Sequence, residues 1–137
     1  MIKDISKMKY LNHKDYSTFT DEDSGEEIKL ILMSGVRKLI KYELIKYSLT
    51  LESVTPMTLK GKESLHVIVK CTASNLLGSL ETFASASPLT TNSNYIIEMA
   101  EKRALARAVL MLLGIYDTYK GADEFSAKPK PLSIPKV

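Results

Sequence analysis

The first clear periodicity in the chain is helical. In the segment SGVRKLIKYELIKYS, apolar residues recur at the spacing of one buried helical stripe: Val36, Leu39, Ile40 and Leu44. Arg37, Lys38 and Lys41 project together onto another face. The pattern therefore predicts an amphipathic helix with a basic outer side. The preceding IKLILM alternates like a strand, yet it could also begin this helix.

From Tyr47 onward the period changes to two. Residues 47–52 alternate apolar and polar side chains, and so do residues 65–72 after the turn KGKE, which predicts two half-buried strands. The segment LLGSLETFASAS predicts a third strand with Gly78 as a candidate bulge, and its buried face stays open. Because short links join the three strands, they predict an antiparallel meander.

A second helix follows in the segment NYIIEMAEKRALARAVLMLLGIY. It is predicted from Asn94 to Leu113, with Gly114 as its C-terminal cap. Its narrow apolar face is predicted to pack inward: Ile97, Ala100, Ala104, Ala108 and Met111. The order helix, three strands, helix predicts an α+β fold, an antiparallel three-stranded β-meander packed against two main helices.

A length of 137 residues suits one domain. Residues 1–25 run into the acidic, turn-prone DEDSGEE of residues 21–27 and are predicted to be a flexible N-terminal segment. Residues 26–120 form the predicted domain. Residues 121–137 carry three prolines among the last nine positions, which predicts a flexible Pro-rich tail.

Two observations bear on the compartment. The single cysteine, Cys71, rules out an intrachain disulfide and fits a reducing environment. No apolar run reaches the roughly 18 residues that a membrane span requires. We therefore expect a cytoplasmic protein with no membrane partner.

The net charge of +3 is unevenly distributed. Between Lys29 and Lys70, eight cationic residues stand against three glutamates. A basic middle of this kind permits a polyanionic partner, although a solvated lysine face is the commoner explanation.

The second helix carries Arg103 and Arg107 one turn apart. Such like charges repel by roughly 0.2–0.5 kcal/mol unless an anion compensates them. The anion could be an internal carboxylate on the sheet, from Glu52, Glu63 or Glu81. It could also be a phosphate backbone, because the planar guanidinium group binds two oxygens at once. The neighbouring Lys102 adds more positive charge than one internal acid can neutralise, which favours phosphate.

The segment MAEKRALARAVLMLLGI, reached after a helix and a β-meander, resembles a motif of phage and mobile-element proteins. These are the single-strand annealing and recombination-mediator proteins of the Sak, Erf and RecT-like superfamily. The resemblance covers about residues 35–115 and implies single-stranded DNA binding along a basic groove, in rings or filaments, by Arg103, Arg107 and Lys102. This chain has little room for the helices that complete those oligomers, so the resemblance supports DNA binding more than annealing.

No catalytic constellation emerges from the sequence. His13 and His66 are too few and too far apart for a metal site, and Cys71 shares an apolar strand face with its neighbours. LKGKES lacks the spacing of a phosphate-binding loop. Asp21, Glu22 and Asp23 fit a solvated loop better than an ion site. We expect no enzyme activity, metal or cofactor.

These observations predict a single-stranded DNA-binding protein of phage-type recombination or replication, with strand annealing as a further activity. The predicted nucleic-acid-binding residues are Arg103, Arg107, Lys102, Arg37, Lys38, Lys41 and Tyr42. Tyr47, Phe83 and Tyr95 are further aromatic candidates for base stacking, although each could equally be core, as we expect of Phe83. The alternative is a small non-enzymatic interaction or regulatory module whose basic face binds an acidic partner.

Self-association is also predicted, because the second helix is apolar on more faces than one sheet can cover. Leu105 and Leu112 lie away from the alanine stripe and would otherwise form an exposed patch. We therefore expect a homo-oligomer.

Overall fold

The computed structural model of the chain describes residues 5, 8–91 and 94–124. Its elements, in chain order, are β1 (Tyr16–Thr20), β2 (Glu27–Ile31), α1 (Met33–Tyr42), β3 (Lys46–Leu59), β4 (Lys62–Asn75), β5 (Gly78–Ala86), α2 (Ile96–Leu112), β6 (Tyr119–Gly121) and a 3₁₀ turn (Ala122–Glu124). We call this last element the C-terminal turn.

The predicted meander is confirmed. Strands β3, β4 and β5 form an antiparallel sheet in that order, and α2 packs against β4 and β5. The register pairs Val69 with Ala84 and Cys71 with Thr82, and all four of these residues are buried. Thr82, Ala84 and Ala86 therefore face the core, which settles the facing that the sequence left open.

The two edges of this sheet are β3 and β5. Strand β3 runs straight through Pro56, which fits an edge position because proline has no N–H for a ladder. The register also shifts between Leu51 and Ser53, so the bulge lies in β3 and not at the predicted Gly78. A bulge and a proline both discourage the edge of β3 from pairing with another strand.

Helix α1 is shorter than its predicted apolar stripe. Strand β2 ends at Ile31 and the helix starts at Met33, so IKLILM supplies both elements. Val36 and Leu39 are buried as predicted, but Leu44 lies beyond the helix with φ 54° and is 70% exposed. The chain turns there, and Ile45 enters the core instead.

Helix α2 is buried on most sides because it contacts both sheets and α1. The three alanines of the predicted inward face are fully buried, but Ile97 and Met111 at its two ends are exposed. Leu105, which was predicted to form an exposed patch, is buried. The second sheet and α1 therefore cover the sides of α2 that the meander leaves open.

The second sheet has the strand order β1-β2-β6, with β1 antiparallel and β6 parallel to β2. Gly121 at the end of β6 lies so close to α2 that an added Cβ would sit 2.8 Å from the Cβ of Ala106. Glycine is therefore required at this crossing, where the chain passes α2 between β6 and the C-terminal turn.

The ordered domain extends beyond the predicted limits of residues 26–120. Residues 16–20 form β1 within the segment predicted to be flexible, and residues 121–124 belong to β6 and the C-terminal turn. The strand pairing of β1 with β2 supplies the order that local composition did not reveal. Residues 1–4, 6–7 and 125–137 of the two predicted flexible segments lie outside the described residues.

A buried carboxylate fastens the N-terminal part to α1. The Asp15 carboxylate accepts hydrogen bonds from the backbone N–H of Asn12, the Ser34 hydroxyl and, at 2.7 Å, the Lys38 ammonium. Burial alone would raise the pKa of the Asp15 carboxyl, but these donors outweigh burial and hold the pKa below its ordinary 3.8. The ionised form is therefore part of the folded structure.

We expect Asp15→Asn to lower the free energy of unfolding at neutral pH by about 1–3 kcal/mol, because it removes charge-assisted hydrogen bonds. Since the folded pKa lies below the unfolded one, this stabilisation is present above about pH 4 and is lost as pH falls through the folded value. Thermal unfolding across the acid range measures it. Asp23→Asn in an exposed turn is the matched control. The difference in the free energy of unfolding between Asp15→Asn and the unmodified chain should shrink on acidification. A difference that does not shrink would contradict the assignment.

Candidate nucleic-acid interface

Arg103 is a buried residue, with 5% of its surface exposed. Its Nε donates to the Asp123 carbonyl at 2.9 Å, and Nη1 donates to the Ser85 carbonyl at 3.0 Å and the Thr90 hydroxyl at 3.1 Å. Nη2 donates to the Thr90 carbonyl at 2.8 Å. Three separate chain segments are therefore held by one guanidinium group.

Arg107 repeats this arrangement one turn later. Its Nη1 donates to the Phe83 carbonyl at 2.6 Å, while Nε and Nη2 both donate to one carboxylate oxygen of Glu124, at 2.9 and 2.6 Å. The Tyr116 hydroxyl also donates to this carboxylate. Burial opposes the charge of Arg107, but Glu124 outweighs burial and raises the pKa of the guanidinium. Burial dominates at Arg103 and lowers its pKa.

The spacing of the two arginines matches the strand that they hold. Four helical residues rise about 6 Å, and two strand residues rise roughly 6.6 Å. Arg103 and Arg107 can therefore reach the carbonyls of Ser85 and Phe83 along the free edge of β5. Because β5 is an edge strand of the meander, the pair fixes this edge strand to α2.

The compensating carboxylate is internal, as one of the two interpretations proposed, but it is Glu124 and not Glu52, Glu63 or Glu81. Glu52 and Glu81 instead flank Lys70 on the outer face of the meander. Their carboxylate oxygens lie 3.4 and 3.6 Å from the Lys70 ammonium nitrogen. Lys102 is partly buried on α2, and within the described part of the chain it has no ion pair within 4 Å.

The predicted basic face of α1 divides into two parts. Lys38 is paired with Asp15 and serves the fold. Arg37 and Lys41 are exposed, and the next residue, Tyr42, is 52% exposed. We call Arg37, Lys41 and Tyr42 the α1 basic face.

Tyr42 is held in place by an aromatic neighbour that the sequence pattern did not reveal. The rings of Tyr10 and Tyr42 stack with centroids 4.5 Å apart and planes 18° apart. The Tyr10 hydroxyl donates to Glu43 at 2.8 Å, and burial together with this carboxylate raises the pKa of Tyr10. The Lys41 ammonium lies 5.3 Å from the Tyr42 ring centroid. An anchored aromatic ring thus lies beside exposed positive charge.

The other aromatic candidates are scattered. Tyr47 and Tyr95 are exposed at distant parts of the chain, and Phe83 is exposed on the outer face of the meander opposite Lys70. We expected Phe83 in the core. That expectation was wrong because the register turns Thr82 and Ala84 inward, leaving Phe83 on the other face.

Within residues 5, 8–91 and 94–124, no three His, Cys, Asp or Glu side chains are grouped so that they could hold a metal ion. Cys71 is buried, as predicted, and burial raises the pKa of its thiol to about 11, so it is a poor nucleophile. Within the described residues, we find no helix whose length and apolar character together would allow it to cross a membrane.

Comparison with known proteins finds no matching family model, no matching curated sequence and no matching solved structure. The resemblance to annealing and recombination-mediator proteins stays a prediction. Function must therefore be inferred from the geometry of the candidate residues themselves.

We expect Arg103→Ala to lower the free energy of unfolding by at least about 2 kcal/mol, because it removes four hydrogen bonds that a buried guanidinium group donates. Arg37→Ala, an equal loss of charge at an exposed position, should change stability by less than about 0.5 kcal/mol. Chemical unfolding monitored by circular dichroism measures both. Equal stability of the two variants would show that Arg103 does not hold the fold.

Proposed function

We propose that this protein binds single-stranded nucleic acid through the α1 basic face. The observation that carries the proposal is the half-exposed ring of Tyr42, fixed by its stack on Tyr10 and adjacent to Lys41. Proteins that bind single strands combine an aromatic surface for base stacking with cations that follow the phosphates. Arg37 and Lys41 supply such cations one helical turn apart.

The proposal assigns different roles to the cations that the sequence grouped together. Lys38 is paired with a buried carboxylate, and Arg103 is surrounded by backbone carbonyls, so neither presents its charge to a partner in this structure. Arg37 and Lys41 are exposed and keep their donors available to a ligand. DNA is the substrate that the sequence resemblance favours, in recombination or replication, with strand annealing as its further activity.

The α1 basic face should account for a measurable share of the salt dependence of binding. We expect Arg37→Gln/Lys41→Gln to weaken binding of a labelled thymidine oligonucleotide and to flatten the plot of log affinity against log salt by roughly 1.4, at about 0.7 for each lost phosphate contact. Fluorescence anisotropy at several salt concentrations measures this. Tyr42→Leu should lower affinity by about 1–3 kcal/mol through lost stacking without changing the slope.

The matched control removes two cations elsewhere. Lys60 and Lys62 lie where β3 turns into β4. Lys60→Gln/Lys62→Gln should therefore leave the affinity and the salt slope nearly unchanged. An equal loss in both double variants would indicate only non-specific attraction. Binding of an acidic protein with no affinity for the oligonucleotide would favour the interaction module instead.

A specific observation favours a protein contact at the same end of the domain. Tyr42, Leu44, Leu76 and Leu77 line one cavity, and the β4–β5 turn leaves Leu76 97% exposed. Exposed apolar patches of this kind usually mark a partner. We propose that this surface, which includes Leu112 of the α2 patch expected from the sequence but not the buried Leu105, supports self-association.

If so, light scattering at tens of micromolar should give a mass above that of the monomer, and Leu76→Ser/Leu77→Ser should restore the monomer. Leu89→Ser is the control, because Leu89 is also exposed but lies in the loop after β5. A monomeric mass for the unmodified chain would exclude this assembly.

A further inference from the structure

Each arginine of α2 is held from two sides. On one side, Nη1 of Arg103 and Nη1 of Arg107 donate to carbonyls of β5. On the other side, their Nε groups donate to the C-terminal turn, at the Asp123 carbonyl and the Glu124 carboxylate. The first set of contacts would keep both guanidinium groups in place if the second were removed.

Asp123 and Glu124 attach the C-terminal turn to α2 through hydrogen bonds from Arg103 and Arg107. None of its three residues is fully buried, whereas Tyr119 and Gly121 just before it are buried in the second sheet. If the C-terminal turn separated from α2 at the residue after Gly121, hydrogen bonds and one ion pair would be lost but little apolar contact. The part of the chain that anchors the domain would stay in place.

The position of the Glu124 carboxylate is chemically suited to a larger anion. Only 12% of this side chain is exposed, and one of its oxygens accepts from both Nε and Nη2 of Arg107. A phosphate group can offer each of these two donors an oxygen of its own, which a guanidinium group accommodates as two parallel hydrogen bonds. Glu124 also lines an open cavity of about 460 Å³ with Phe83, Ser85 and Thr90, so an incoming anion has access.

We propose that Arg103 and Arg107 form a phosphate-binding site that the C-terminal turn masks, and that a phosphate group competes with Glu124 for Arg107. The masked state is the one in the structure. When the turn leaves, Nε of Arg103 and Nε and Nη2 of Arg107 become available together on the same side of α2. The acidic turn thereby sets the concentration of phosphate at which this second site fills.

This site is separate from the α1 basic face, and inorganic phosphate tests it without nucleic acid. We expect Glu124→Gln in the full chain to bind inorganic phosphate about tenfold more tightly than the unmodified chain, because the competing charge is gone. Titration calorimetry measures the affinity. Glu98→Gln is the matched control, since it removes the same charge from an exposed position on α2.

The gain should depend on Arg107. In Glu124→Gln/Arg107→Gln the affinity for phosphate should return to the level of the unmodified chain or below it. An absent gain in Glu124→Gln, an equal gain in Glu98→Gln, or a gain that survives the loss of Arg107 would each overturn the proposal.

A second measurement uses the unmodified chain and does not depend on the folding of variants. Adding phosphate at constant ionic strength should accelerate amide hydrogen exchange at Asp123 and Glu124 while Tyr119 and Lys120 stay protected. Unchanged exchange at the turn on saturation would overturn the proposal. If Glu124→Gln also binds the thymidine oligonucleotide more tightly, the ligand is a backbone phosphate. If only inorganic phosphate gains, the ligand is a small phosphate.

Discussion

The hydrogen bonds from Arg103 to backbone carbonyls connect more of this structure than any other interaction that we describe. One guanidinium group joins β5, the loop after β5 and the C-terminal turn to the central helix. Arg107 adds a second attachment to β5 at a spacing that the helix and the strand share. The edge strand β5 is thereby fixed against α2.

This arrangement also explains how two like charges can lie one turn apart on a mostly buried helix. Arg103 is surrounded by carbonyl dipoles, and Arg107 has the carboxylate of Glu124, so each charge is satisfied locally. Five of the six cations predicted to bind nucleic acid consequently fall into two groups. Arg103, Arg107 and Lys38 hold the fold, while Arg37 and Lys41 face solvent. Charge counted along the sequence does not distinguish these groups, because it carries no information on burial.

Periodicity predicted the meander and both helices, since alternation and helical spacing report which side chains share a face. It did not show what covers that face. The sides of α2 near Leu105 are covered by elements distant in the sequence, and β1 lies in a segment whose composition resembles a loop. Leu44 and Phe83 were misplaced because a single turn or a register choice decides their orientation.

The partners of the charged residues were harder to predict for the same reason. Asp15 and Glu124 both fall in segments predicted to be flexible, so neither was considered as a carboxylate for Lys38 or Arg107. Tyr10 was likewise missed, because its stack on Tyr42 joins residues 32 positions apart. In the sequence, an acidic residue close to β6 was the only feature that could have indicated the partner of Arg107.

The most direct test of this account is site-resolved amide hydrogen exchange of Arg103→Lys. Lysine keeps the charge but has one donor group, which cannot reach the carbonyls of Ser85, Thr90 and Asp123 at once. We expect faster exchange in residues 85–91 and 121–124, with α1 unchanged. Exchange identical to that of the unmodified chain across both segments would contradict the claim that the guanidinium of Arg103 holds them together.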